Sequence, residues 1–155
     1  MTEQQHFVLE YLRNQYAERN QFYNLLGISI DWAYNGHSKQ SMFVEQKHSN
    51  LHANMHGGVL VSMGDSCMGV ACASLGKQVV TLDIHVNFLA NMTPPARVYC
   101  EANVIHNGHK SIVMGAKVFD EDGRTLGVLR STYYVVGVFE EIAARLPDTV
   151  LVRPR

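Results

Sequence analysis

The residues best suited to chemistry fall in one stretch, Asn50-Leu51-His52-Ala53-Asn54-Met55-His56-Gly57-Gly58, with Asp65 eight positions after Gly57. Two adjacent glycines let the backbone turn sharply into a helix whose first N–H groups point outward without partners. Such an end stabilises developing negative charge, for example the oxyanion of a tetrahedral intermediate. His56 and Asn50 can add hydrogen bonds to the same carbonyl or to a water. A glycine pair at a helix start is also commonly just a turn, and that alternative stands for the fragment alone. Asp65 weighs more. A carboxylate inside an apolar helical run must find hydrogen bonds or shift toward its neutral form, in the service of structure or of catalysis.

The elements that must position these groups can be read from periodicity. From His56 to about Leu75 there is no strand alternation. Leu60, Met63, Cys67, Val70 and Ala71 cover one side at a period near 3.6. The opposite side carries Gly58, Ser62, Gly69 and Ala73, with Asp65 among them, a stripe narrow enough for other backbone to approach. Before it, residues 3–18 read as an amphipathic helix around Phe7, Val8, Tyr11 and Leu12. Strand-like runs at 26–34 and 40–45 flank Asn35-Gly36, a strong hairpin signal, and a polar loop spans 46–55.

After the central helix, the run 80–89 alternates Leu82, Ile84, Val86 and Phe88 against Thr81, Asp83, His85 and Asn87. Runs 98–105 and 111–119 join through Asn107-Gly108, and Glu121-Asp122-Gly123 turns into 126–136. This order implies an α+β fold, with one buried central helix against a single curved antiparallel sheet. One domain is expected over residues 1–155: a helix at 3–18, a core at 25–137 and a tail at 138–155 with one helical turn before Pro147.

Composition narrows the partners. With 46% hydrophobic and 17% charged residues the chain is globular, and its net charge of −1 gives no reason to expect nucleic acid or an anionic membrane. Cys67, Cys72 and Cys100 form an odd set without a CxxC pair, two of them in the apolar helix, as suits a reducing compartment. No run reaches the ~18 apolar residues of a membrane span, and no leader is evident. A soluble cytoplasmic protein is expected.

The pattern Asn50-x5-His56-Gly57-Gly58-x6-Asp65, followed by a strand with a hydroxyl residue, resembles the PaaI-type hotdog thioesterases. The resemblance covers about Leu25 to Val136. It implies a hotdog fold and hydrolysis of acyl-CoA thioesters by a dimer, or a dimer of dimers, without metal or organic cofactor. By position, Asp65 is similar to the family's nucleophile or general base. Gly57 would supply the oxyanion N–H, Asn50 and His56 would orient thioester and water, and Thr81 would position a water. The family usually has glycine where this chain has Ala53, and Asn54 competes with Asn50 for its role. Phe88, His106 and Lys110 are candidates for holding the substrate, the latter two at a turn where a CoA phosphate could dock or solvent alone could face.

Spacing adds an argument of its own. On one helix, Gly57 and Asp65 lie about 12 Å apart at ~1.5 Å per residue. A reacting carbonyl must lie within about 3 Å of both oxyanion donor and nucleophile, which one chain cannot arrange. Two antiparallel helices in a C2 dimer can, each site taking Gly57 from one subunit and Asp65 from the other. His48, His52 and His56 recur every four residues, yet the asparagines and glycines among them favour a loop over a metal face. A hotdog hydratase or dehydratase, and a non-catalytic acyl-CoA sensor, remain alternatives.

Overall fold

Thr2 opens the first helix, α1 (Glu3–Arg19). Its hydroxyl accepts from Gln5 N while the Gln5 side chain accepts from Thr2 N, a capping box. The computed structural model describes residues 1–147; the end of the expected tail, from 148, lies outside them. Val8, Leu9 and Leu12 form the buried side of α1. A second helix follows, α2 (Gln21–Leu26), and it takes Leu26, the expected first residue of the strand-like run. Six residues are too few to show a period. Their helix is set by its ends: Asn20 Oδ1 accepts from Tyr23 N at 3.0 Å, and Gly27 stops it in the left-handed region at φ 69°.

The hairpin β1 (Ile28–Tyr34) and β2 (His37–Val44) turns on Asn35-Gly36, both at positive φ as a two-residue type I′ turn requires. The second strand starts three residues ahead of the expected boundary, because the pairing Tyr34↔His37 begins right at the turn. A 3₁₀ turn at Gln46–His48 and a loop lead to the central helix, α3 (Gly57–Ala73). The chain ends in β3 (Lys77–Phe88), β4 (Ala96–Asn107), β5 (Ser111–Asp120), β6 (Thr125–Val138) and a short α4 (Glu140–Ala143).

All six strands pair antiparallel in the order β1-β2-β4-β5-β6-β3, and α3 lies across one face. Leu60, Met63, Cys67 and Ala71 of the helix meet Met42, Val98, Cys100, Met114 and Leu126 of the sheet in one core. This is the expected α+β arrangement. The three cysteines are buried, unpaired thiols. Gly64 sets how closely α3 approaches β6: a Cβ there would stand 2.5 Å from Leu129 Cδ2.

One expectation about β3 fails. The strict alternation put Thr81 on the same face as Asp83, His85 and Asn87. A bulge shifts the register between Thr81 and Asp83, so Thr81 opposes Tyr133 whereas Asp83 opposes Thr132. Leu82 is the extra residue, and the phase of the strand reverses across it. Thr81 therefore turns toward α3, away from the face shared by the other three. β3 is also a sheet edge, and Val80, Leu82 and Phe88 along it are about half exposed or more.

Candidate active site

His56 starts α3 as its N-cap. Its Nδ1 accepts from Gly58 N at 2.9 Å and its carbonyl accepts from Val59 N at 2.9 Å. These bonds satisfy two first-turn amides. Gly57 N–H makes no hydrogen bond to the described residues and is left as a donor at the positive end of a 17-residue helix. The ring of Phe88 lies over this glycine.

Asn50 shapes the loop before the helix. Its Oδ1 accepts from His52 N at 2.8 Å and Asn54 N at 3.2 Å, while its backbone pairs with Ala53 and Asn54. Ala53 stands at φ 59°, in the left-handed region that glycine adopts without steric cost. Asn54 is engaged elsewhere, its Oδ1 accepting from Thr93 at 3.2 Å. His48 is buried, its Nδ1 accepting from Glu45 N at 2.9 Å. The three histidines at four-residue spacing thus line no helix face. Among the described residues no group of three or more His, Cys, Asp or Glu is placed to hold a metal ion.

Asp65 stands two turns along α3. Thr81 Oγ1 donates to its Oδ1 at 2.9 Å, and the Tyr133 hydroxyl donates to the same oxygen at 2.8 Å. Burial raises the Tyr133 phenol far above its usual range, and the Asp65 charge and hydrogen bond raise it further, so it stays a protonated donor. Asp65 opens on a cavity of about 430 Å³. The stripe of Ser62, Ser66, Gly69 and Ala73 forms one wall and the edge-to-face pair Tyr16 and Tyr23, with Phe22 and Leu26, another.

The structure thus joins Asp65 to Thr81. Gly57, His56 and Asn50 form a second group at the helix start, and none of the three lines the cavity of Asp65. His106 folds back over Gly108, while Lys110 lines a separate hollow of about 760 Å³ with His109 and Lys77. Neither reaches Asp65. Lys77 is buried and donates to Asn107 Oδ1 and Gly108 O, tying β3 to the β4–β5 turn. Sequence reasoning missed Tyr133. Its alternation marks it as inward, but only the register of β6 against β3 places it beneath Asp65.

The sequence profile of the thioesterase superfamily matches residues 52–126. Acyl-coenzyme A thioesterase PaaI of Escherichia coli (strain K12) is 27% identical over 112 residues, 72% of this chain and 80% of that protein. A putative esterase of Archaeoglobus fulgidus is 21% identical over 129 residues, covering 83% and 84%. The structure of the E. coli PaaI protein superposes with a TM-score of 0.82 at 24% identity, over 88% of this chain and 98% of that one. A hypothetical thioesterase from Streptococcus pneumoniae, solved with coenzyme A, gives 0.70 at 26% identity, over 72% and 87%. Two further structures of that protein carry alanine in place of an aspartate and of a threonine sixteen residues beyond it. Asp65 and Thr81 have the same separation. By profile, relatives and architecture together, the chain has the hotdog fold and is similar to the thioesterase superfamily, PaaI-type members among its relatives.

Proposed function

We propose that this protein hydrolyses acyl-CoA thioesters in a site shared by two subunits, with Asp65 as general base or nucleophile and the Gly57 N–H as oxyanion donor. The observation that carries this is the pairing of roles: a carboxylate held by two hydroxyls at a largely apolar cavity, and an unbonded amide at the start of the same helix. The acyl group enters the cavity beside Asp65. The thioester oxygen meets the Gly57 amide, and the developing charge is stabilised there. As a base, Asp65 takes a proton from water as the water oxygen bonds to the carbonyl carbon. The tetrahedral intermediate then collapses, the C–S bond breaks, and CoA leaves as its thiol with that proton. As a nucleophile, Asp65 first forms an acyl anhydride and releases CoA, and water then cleaves the anhydride.

Gly57 and Asp65 of one chain are too far apart for one carbonyl, so the partner's helix supplies the missing group. The long β3 edge, with Val80 and Leu82 exposed, supports this, because two such edges paired across a twofold axis set their α3 helices antiparallel. Coenzyme A in the S. pneumoniae structure supports the choice of thioester. No metal or organic cofactor takes part in this scheme, and three buried free thiols suit a cytoplasmic setting.

Free CoA released from an acyl-CoA panel, titrated with a thiol reagent with and without chelator, is the test. Release unaffected by chelator is expected, with Asp65→Asn lowering kcat by ~10²-fold or more while the fold persists. A folded Asp65→Asn protein with over half the activity would overturn the role of Asp65. Absence of release across the panel would overturn the enzymatic reading.

A further inference from the structure

Thr81 and Tyr133 are direct partners in the β3–β6 ladder, and both of their hydroxyls point at one oxygen, Oδ1 of Asp65. The Tyr133 hydroxyl also lies 3.1 Å from the Asp65 main-chain carbonyl, so it grips the residue at two points. The ring is 2% exposed and fixed in the core, and the bulge at Leu82 holds Thr81 at the same spot. Oδ2, by contrast, accepts no hydrogen bond from the described residues. A carboxylate oxygen accepts about two good hydrogen bonds, so Oδ1 is filled.

We propose that Tyr133 is a positioning residue for thioester hydrolysis: with Thr81 it clamps Oδ1 of Asp65 and so assigns Oδ2 as the reacting oxygen. This rests on the reading of Asp65 given above. The clamp acts on geometry. It fixes the carboxylate rotamer, so Oδ2 faces the cavity in a repeatable position. In the base mechanism, Oδ2 takes the water proton and later delivers it to the departing sulfur, while Oδ1 keeps its two donors throughout. In the nucleophilic one, Oδ2 forms the bond to the acyl carbon.

The test is a set of variants assayed for CoA release. Tyr133→Phe removes one hydroxyl and is expected to lower kcat about tenfold, with KM changed less than about twofold, the split that a misplaced reacting oxygen gives. Thr81→Val does the same through the other donor, and Thr81→Ser restores most of the loss. With both donors gone, the loss exceeds the product of the single ones, as two anchors on one atom require. In an Asp65→Asn background, Tyr133→Phe has no further effect on residual turnover.

Folding is checked by thermal denaturation, and if Tyr133→Phe does not fold, the Thr81→Val and Thr81→Ser pair carries the same kinetic readout. A folded Tyr133→Phe protein with kcat within twofold of wild type overturns the clamp. So does an equal loss from Tyr133→Phe in the Asp65→Asn background, which marks a merely structural role. If Asp65→Asn is itself active, the catalytic reading of Asp65 falls instead. If Asp65→Asn is dead and Tyr133→Phe resembles wild type, the clamp alone fails.

Discussion

The ring of Phe88 lies against Gly57 so closely that a Cβ at Gly57 would stand 3.1 Å from Cε1 and 3.2 Å from Cζ. Gly57→Ala keeps the N–H but pushes Phe88 aside by a few tenths of an ångström. A loss of roughly three- to tenfold in kcat/KM is expected, as a small misplacement at the site gives. Phe88→Leu in the same chain should recover most of it. Gly57→Pro removes the N–H and should cost ~10²–10³ in kcat, the scale of one oxyanion donor, without recovery by Phe88→Leu. Steady-state kinetics of the four variants decides. Equal losses for alanine and proline would mean that the amide does not carry the oxyanion.

The shared site has a test in complementation. Asp65→Asn and Gly57→Pro chains are each expected to be inactive, yet a mixed dimer holds one site with both lesions and one with neither. Co-refolding at equal amounts should restore about a quarter of wild-type activity by C2 counting. Native mass spectrometry establishes that mixed dimers form. Mixed dimers without activity would refute the sharing.

His48 makes stability depend on pH. Its Nδ1 must be unprotonated to accept the Glu45 amide, and its carbonyl holds His56 N at 2.8 Å, so it anchors both ends of the loop. Burial, and then the nearby Lys47 charge, push its pKa below the usual 6.5, and Glu45 opposes them. The unfolded chain therefore binds this proton first. Stability should fall as pH drops through ~6.5 toward the folded value and be fully present above it. Urea midpoints from pH 8 to pH 5.5 should decline less for His48→Asn, whose amide oxygen can still accept. Parallel slopes would remove His48 as a cause.

Ala53 offers the opposite sign of effect. An L-residue in the left-handed region costs about 1–2 kcal/mol, and glycine returns about 0.5–1 kcal/mol of that as unfolded-state entropy. Ala53→Gly should thus stabilise the protein by about 0.5–1 kcal/mol, and Ala53→Val should destabilise it. Urea denaturation measures both. Destabilisation by glycine would show that the loop gains more from stiffness than it loses to strain.

What could be read beforehand was whatever left a local period or a turn code. The buried helix, with Asp65 alone in a stripe of small groups, shows in a 3.6-residue pattern, and the first hairpin shows in Asn35-Gly36. Other features depend on partners distant in sequence. The apolar residues Leu82 to Phe88 alternate without a break, yet the bulge exists only relative to β6, so the face of Thr81 was misread. Tyr133 is one inward residue among several until the ladder places it under Asp65. α2 rests on one asparagine cap and one glycine stop. His56 and Asn50 were assigned to the substrate for their chemistry, and the cap and loop closure that His56 Nδ1 and Asn50 Oδ1 also make left no local pattern.

The exposed edge of β3 has a consequence for dilution. A site made from Asp65 of one chain and Gly57 of another exists only while two chains are together. On the proposed shared site, turnover per chain depends on protein concentration, constant well above the dissociation constant and falling toward proportionality with concentration below it. Expression level would then control activity per molecule, and the exposed Val80 and Leu82 of the β3 edge would set where that threshold lies.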